Sequence, residues 1–165
     1  MEKEVKIFNT YLIGAMEQVA DNGIGWREKV KLHLKDFKNL NIVDPCENEP
    51  EKTGYDVSQA KKKAYGWKRS GEWVKFNEMF DNIIKSDLEN VQVSDFLILY
   101  IAPEHRLGGT VSELTYAYDR RIPVYCLLEG NISEMNSWVL RLINKHGIIF
   151  RTWKDLYEKI EEVLK

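Results

Sequence analysis

The stretch Phe96–Ile101 reads FLILYI, a near-continuous apolar run in the second half of the chain. A strand that is buried on both faces of a parallel sheet has this composition, whereas a strand with one face in water alternates apolar and polar residues. Helices packed on both faces of such a sheet exclude water from it. The run therefore predicts a central strand of an α/β sheet.

Outward from this run, strand-like and helical segments alternate. Apolar clusters predict further strands, and apolar residues at three- and four-residue spacing predict helices between them. Because right-handed crossovers join parallel strands through helices, we expect a three-layer, flavodoxin- or Rossmann-like α/β fold with five mostly parallel strands in the order 2-1-3-4-5. The other predicted strands are Val5–Gly14, Leu40–Val43, Ile122–Leu128 and Gly147–Phe150, and the predicted helices are Trp26–Leu34, Trp73–Val91, one beginning near Thr110, Met135–Asn144 and Thr152–Leu164.

Residues 46–72 do not follow this pattern. The stretch is polar, carries Pro50 and several glycines, and contains a basic group over Lys61–Arg69 that could meet a phosphate or form a solvated face. Long loops in compact domains are commonly functional or disordered. We expect one domain over residues 1–165, with a long loop or a partly helical lid at about 46–72.

Composition excludes several classes of function. The formal net charge of −2 gives no bulk attraction to a nucleic acid polymer or an anionic membrane. Cys46 and Cys126 lack metal-ligand spacing, which favours reduced cytosolic thiols. The first residues do not resemble a signal peptide, and no apolar run approaches the roughly 20 residues of a membrane span. We expect a cytoplasmic protein without a metal site.

The predicted topology also locates a site. In an open parallel sheet, ligands bind beyond the carboxyl ends of the strands, where the strand order reverses. Here that point lies between the first and third strands, where Gly14-Ala15-Met16 faces Tyr100–Gly109. Gly108-Gly109 would let the backbone approach a ligand closely, and the helix N-terminus behind it favours a negative group. Gly14, Ala15, Met16, Gly108 and Gly109 are therefore predicted substrate contacts.

Three residues near this point could carry chemistry, and each has a structural alternative. Glu113 falls in the first turn of the expected helix, where Thr110-Val-Ser-Glu113 also fits a capping box. Asp87 lies at the margin of an apolar helical face, where partial desolvation suits acid/base work, but Ser86 or Asp87 could instead cap a short turn. Tyr11 is either a core tyrosine with a satisfied hydroxyl or a group that orients Glu113.

Three stretches, in their order and spacing, resemble the nucleoside 2-deoxyribosyltransferase family and its relatives, the deoxynucleoside-monophosphate N-glycosidases. They are Tyr11-Leu-Ile-Gly-Ala15, Ser86-Asp87-Leu-Glu-Asn-Val-Gln-Val-Ser-Asp95 and Gly108-Gly-Thr-Val-Ser-Glu-Leu-Thr-Tyr-Ala117. The second is similar to the family's Asp-Leu-x-x-(Ile/Val)-x-x-(Ser/Thr/Ala)-Asp run, and the third to its Gly-x-x-x-Glu-(Leu/Ile)-Gly-Tyr-Ala. The resemblance spans residues 6–127.

The resemblance implies a double displacement with retention at the sugar, without a cofactor. Glu113 would attack C1′, Asp87 would assist the departing base, and Tyr11 would position Glu113. A free nucleobase would then accept the sugar, which makes the expected activity 2-deoxyribosyl transfer between bases. Hydrolysis of a 2′-deoxynucleoside 5′-monophosphate on the same scaffold is one alternative, and a non-catalytic nucleotide-binding module is another.

Two departures from the family pattern leave base choice, and transfer against hydrolysis, open. Leu107 stands where the transferases often carry an acidic residue, and Thr115 replaces their usual Gly. Arg27, His105 and Arg106 could bind a 5′-phosphate, which would favour a nucleotide substrate. Their alternative is a solvated surface charge.

The segment Met135-Asn136-Ser137-Trp138 resembles one that, in the transferases, reaches the pocket of a neighbouring subunit. Asn136 is therefore a candidate contact to the sugar, with a helix cap as the alternative. The resemblance also implies a homo-oligomer, a dimer or larger, whose sites are completed across an interface.

Overall fold

Five strands form one sheet in which every neighbouring pair is parallel. The computed structural model describes residues 5–165. The strands are β1 (Phe8–Gly14), β2 (Leu40–Val43), β3 (Phe96–Ile101), β4 (Val124–Leu128) and β5 (Ile148–Phe150). Their order across the sheet is β2-β1-β3-β4-β5, so the predicted fold class and strand order are confirmed.

Helices cover both faces of this sheet. They are α1 (Ile24–Leu34), α2 (Pro45–Thr53), α3 (Val57–Ser70), α4 (Trp73–Val93), α5 (Gly108–Asp119), α6 (Ser137–Asn144) and α7 (Trp153–Val163), with a short 3-10 helix at Ile132–Glu134. Side chains of α1 and α7 share one apolar core with the sheet, and those of α4, α5 and α6 share the other. No helix in residues 5–165 is long and apolar enough to cross a membrane.

The central strand β3 shows why its sequence is apolar throughout. Leu97 and Leu99 enter the core beneath α4, α5 and α6, whereas Phe96 and Ile98 enter the core beneath α1 and α7. All four side chains are at most 1 % exposed. Since successive side chains of a strand point to opposite faces, two covered faces leave no position for a polar residue.

Two helices occupy most of residues 46–72, which agrees with the partly helical alternative and not with a long loop. The side chain of Asp44 caps α2 by accepting the Cys46 N–H, and Pro45 stands at the first helical position. Asp56 and Gln59 form a capping box at the start of α3. Both helices contact α4, which places them beside the predicted site.

Other element boundaries also differ from the expectation. β1 begins at Phe8 rather than at Val5, and β4 begins at Val124 rather than at Ile122. The helix predicted over Met135–Asn144 begins two residues later, at Ser137, because Asn136 is its cap.

Arg27 holds the turn between β1 and α1 and is completely buried. Its Nε, Nη1 and Nη2 donate to the carbonyl oxygens of Leu12 (3.3 Å), Gly23 (2.9 Å) and Gly14 (3.1 Å), respectively. A buried guanidinium is stable because its N–H groups are bonded in this way. The predicted phosphate contact by Arg27 is therefore wrong, as is its solvated alternative, because the side chain is not exposed to ligand or solvent.

Two glycines with left-handed backbone allow a matched test of this turn. Gly23 has φ +74°, and a Cβ there would lie against Nη1 of Arg27 and 2.6 Å from the carbonyl oxygen of Ala15. Gly54 has φ +77° and nothing within 4 Å of such a Cβ. We expect Gly54→Ala to lower the free energy of unfolding by about 1 kcal/mol through backbone strain. Gly23→Ala should lower it by about 2 kcal/mol more through overpacking. Equal losses in urea unfolding would contradict the role given to Arg27.

Candidate active site

A cavity of about 510 Å³ opens at the carboxyl ends of β1 and β3, where the topology predicts a site. Its walls come from the turn after β1, from α4 and from the start of α5. This volume lies in the range of small-molecule sites. The predicted residues that line it are Gly14, Ala15, Met16, Asp87, Arg106, Gly108, Gly109 and Glu113.

Glu113 reaches the cavity from the second turn of α5. The helix begins at Gly108 behind Leu107, so Thr110 lies inside the helix and is not its cap. This start excludes the capping box that the sequence also allowed. Glu113 is half-buried and makes no hydrogen bond or ion pair with any residue in the part of the chain described, 5–165. Its carboxyl oxygens are therefore free to meet a ligand.

The environment of Glu113 favours a proton on its carboxyl group. Burial raises the pKa of Glu113 to about 8, and the negative charge of Asp87 contributes to the rise. The positive charges of Arg27 and Lys52 oppose it. In the free protein at neutral pH, Glu113 is therefore largely protonated.

Asp87 is anchored at one oxygen. Its Oδ1 accepts a hydrogen bond of 2.8 Å from the Tyr11 hydroxyl and one of 2.9 Å from Nζ of Lys52. Asp87 lies within the continuous helix α4, which excludes the alternative in which it or Ser86 caps a short turn. The Tyr11 side chain is fully buried, and burial raises its pKa well above the ordinary value, so its hydroxyl remains a donor.

The position of Tyr11 agrees with its structural alternative. Its hydroxyl is satisfied, as expected of a core tyrosine. The partner of this hydroxyl is Asp87, whereas the sequence suggested that Tyr11 would orient Glu113.

The sequence reasoning missed Lys52 and Glu49, which lie on α2. Nζ of Lys52 is 2.9 Å from Oδ1 of Asp87 and 3.3 Å from Oε2 of Glu49. The side chains of Lys52 and Glu49 are 4 % and 8 % exposed, so both charges are buried. The three-residue spacing of an acid and a base on a helix was the available signal, but it is visible only if the segment is recognised as a helix.

The remaining predicted residues lie around the cavity in different ways. Arg106 is exposed and lines the cavity. Nδ1 of His105 accepts the N–H of Ala102 at 3.1 Å, which holds His105 in the turn after β3. Asn136 caps α6 by accepting two backbone N–H groups, as its structural alternative proposed, and does not line this cavity. A contact from Asn136 to a neighbouring subunit's pocket stays a prediction.

Comparison with solved structures identifies the fold. A conserved protein from Enterococcus faecalis V583 is 20 % identical, with a TM-score of 0.66 over 95 % of this chain and 99 % of its own. A 2-deoxyribosyltransferase from Bacillus psychrosaccharolyticus is 21 % identical, with a TM-score of 0.63 over 94 % of this chain and 95 % of its own. The chain has the fold of this transferase.

Weaker comparisons add no further likeness. A CMP N-glycosidase from Clostridium botulinum is 14 % identical, with a TM-score of 0.48 over 93 % of this chain and 98 % of its own, which is too low to support an inference. No protein-family model matches the sequence, and no curated protein matches it significantly. The two structures with TM-scores of 0.66 and 0.63 confirm, at the level of the fold, the resemblance expected from the sequence.

The raised pKa of Glu113 predicts a dependence of stability on pH. Because the native state binds this proton more tightly than the unfolded chain, the free energy of unfolding falls as pH rises from about 4.5 to about 8. Glu113→Gln has no carboxyl group at this position, so its free energy of unfolding lacks this decrease. Relative to the parent, we expect the variant to be about 2 kcal/mol more stable at pH 8.5 than at pH 5, because partial exposure of Glu113 screens part of the pKa effect.

Urea unfolding at the two pH values checks this prediction. Thr115→Ala, an uncharged and exposed position on the same helix, is the control and should show the same difference from the parent at both pH values. A Glu113→Gln difference that is equally independent of pH would show that the carboxyl is not in a desolvated, negatively charged environment.

Proposed function

We propose that this protein is a nucleoside 2-deoxyribosyltransferase, which cleaves the N-glycosidic bond of a 2′-deoxynucleoside and transfers the sugar to another base. One observation carries the proposal: Glu113, with unbonded oxygens, and Asp87, with an anchored oxygen, line the same cavity. The fold shared with the transferase from Bacillus psychrosaccharolyticus supports it.

The charge state of the two carboxyl groups suits this chemistry. A retaining displacement at an anomeric carbon needs one carboxylate and one acid in the same site. The repulsion between Glu113 and Asp87 favours a single proton on the pair at neutral pH. Burial raises the pKa of Glu113 to about 8, so Glu113 holds a proton in the free protein.

Glu113 is the better nucleophile of the two. Both donors to Asp87 act on its Oδ1, and hydrogen bonds of this kind draw electron density from a carboxylate. Glu113 lacks such partners within residues 5–165 and can approach C1′ with either oxygen. Attack requires that Glu113 first gives up its proton, for which Asp87 is the acceptor in the site.

In the first step, a carboxylate oxygen of Glu113 forms a bond to C1′ while the bond from C1′ to the base nitrogen breaks. The electron pair of the broken bond goes to the base, and the proton passes from Asp87 to a base nitrogen. In the second step, a nitrogen of the incoming base attacks C1′ and loses its proton to Asp87. The Glu113 carboxylate leaves, and the pair again holds one proton.

Two glycines at the start of α5 are consistent with a ligand beside them. Gly108 and Gly109 are exposed, and a Cβ at either position would meet nothing within 4 Å. Packing therefore does not require glycine here, although each glycine lowers helix stability by up to about 1 kcal/mol relative to alanine. We infer that the sugar or its 5′ substituent passes close to this backbone.

Arg106 supports a second candidate, the hydrolysis of a 2′-deoxynucleoside 5′-monophosphate. Its exposed side chain lines the cavity beside the N-terminus of α5, and both features attract a phosphate. Water would then replace the incoming base in the second step.

We further propose a homo-oligomer in which Asn136 contacts the site of a neighbouring copy. The side chain of Trp138, two residues away, is 70 % exposed, and such a copy would cover it.

Turnover tests the proposal directly. With a 2′-deoxynucleoside and a second free base, we expect a new deoxynucleoside on liquid chromatography. Glu113→Gln should lower kcat by at least about 10⁴-fold while the protein remains folded, because the nucleophile is removed. Asp87→Asn should lower kcat by about 10²-fold, with a smaller effect on KM. Glu89→Gln, an exposed carboxylate on α4 outside the cavity, should retain full activity.

The products separate the candidate functions. Release of deoxyribose 5-phosphate from a monophosphate, without base exchange, would replace transfer by hydrolysis. Ligand binding without turnover in the parent protein, unchanged in Glu113→Gln, would indicate a binding module and contradict catalysis.

A pH profile tests the ionisation that the mechanism requires. Because the mechanism uses one proton shared by Glu113 and Asp87, kcat/KM should be level below the raised pKa of about 8 and fall above it, where the pair loses that proton. A profile that keeps rising above pH 8 would contradict transfer of this proton to the base.

A further inference from the structure

Lys52 lies beside the site and contacts two carboxylates. Its buried ammonium is within ion-pair distance of Asp87 (2.9 Å) and Glu49 (3.3 Å). The hydroxyl of Tyr11 donates to the same Asp87 oxygen. A buried lysine is stable only with such partners, so the arrangement fixes the ammonium between α2 and α4.

We propose that Lys52 is a positioning residue of the reaction: from α2 it fixes Asp87 beside Tyr11 and offsets part of the negative charge around Glu113. The proposal rests on the proposed function, in which Glu113 is the nucleophile and Asp87 handles the proton. Glu49 limits the effect, because its carboxylate binds the same ammonium.

The electrostatic argument follows from the number of buried charges. Asp87 raises the pKa of Glu113, whereas Lys52 lowers it. Burial raises the pKa of Glu49, and Lys52 opposes that rise as well. Without the ammonium, the Asp87 carboxylate would act on Glu113 with no positive charge in contact with it. The carboxyl of Glu113 would then hold its proton to higher pH.

Other charged groups surround the pair but do not replace this contact. Arg27 bonds to backbone carbonyls, and Lys61 is 3.2 Å from Oδ1 of Asn22. Within residues 5–165, the donors bonded to the Asp87 carboxylate are Tyr11 and Lys52. The titratable and charged groups that line the site or act on its carboxyl groups come from several elements. They are Tyr11 of β1, Glu17 of the following turn, Arg27 of α1, Glu49 and Lys52 of α2, Lys61 of α3, Asp87 of α4, Arg106 of the loop before α5, and Glu113 of α5.

Three variants test the proposal by two readouts. The first readout is the titration midpoint of the Glu113 carboxyl carbon by NMR, assigned by its absence in Glu113→Gln. Lys52→Met should raise this midpoint by about one pH unit, because a partnered positive charge is lost. Lys52→Arg keeps the charge and should stay near the parent value. Glu49→Gln removes a competing negative charge and should lower the midpoint.

The second readout is the pH profile of kcat/KM. In Lys52→Met the falling limb should move to higher pH together with the Glu113 midpoint. At pH 7, kcat/KM should fall about tenfold with a smaller change in KM, because Asp87 is no longer held beside Tyr11. Lys52→Arg should restore most of the rate. Lys159→Met, which removes an ammonium from α7 outside the cavity, should leave both readouts unchanged.

The outcomes separate this inference from the proposed function. An unchanged Glu113 midpoint in Lys52→Met, or equal impairment of Lys52→Met and Lys52→Arg, would overturn the role of Lys52. If Lys52→Met does not fold, the Glu49→Gln midpoint decides: a downward shift supports the proposal, and no shift overturns it. The titration needs no turnover, so an inactive parent protein would contradict the proposed function without obscuring the result for Lys52.

Discussion

Two hydrogen bonds to one carboxylate oxygen connect the parts of the site. Tyr11 of β1 and Lys52 of α2 both donate to Oδ1 of Asp87 on α4. The sheet, the helical segment after β2 and the long helix α4 therefore meet at a single atom. Any movement of α2 or α4 relative to the sheet would break a buried polar contact, which is costly in a protein interior.

The same contacts determine how the two carboxyl groups of the cavity differ. Asp87 is bonded and partly neutralised, whereas Glu113 faces the cavity without a partner in the described chain. The environments of the two groups therefore differ, although both are simple carboxylic acids. Pairs of this kind, separated by environment rather than by chemistry, are typical of sites that perform acid/base and nucleophilic steps together.

The fold could be predicted from the sequence because its main signals are local. The composition of Phe96–Ile101 indicates burial on both faces, and the alternation of strands and helices then restricts the topology. For residues 46–72 the sequence left a loop and a partly helical lid open, because the helices there are polar. Caps at Asp44 and Asp56 carry the information rather than an apolar stripe. Arg27 was misjudged because a charged residue suggests solvent, while tertiary contacts bury it.

The candidate site was only partly predictable for a related reason. The glycines, Asp87 and Glu113 lie at positions that topology brings together, so sequence order was sufficient to group them. Lys52 and Glu49 depend on a helix that the sequence reasoning did not recognise and on packing between α2 and α4 that no local pattern specifies. The start of α5 at Gly108 decides between the two interpretations of Glu113. A helix that began directly after Thr110 would have placed Glu113 in a capping box.

The central claim is that a Glu113 oxygen forms a bond to the anomeric carbon of the sugar. The most direct measurement is mass spectrometry of peptides from protein that is quenched with acid during turnover of a 2′-deoxynucleoside. The account predicts that the peptide containing Glu113 gains the mass of one deoxyribosyl group and that Glu113→Gln gains none. A deoxyribosyl group on another residue, or none at any time during turnover, would contradict it.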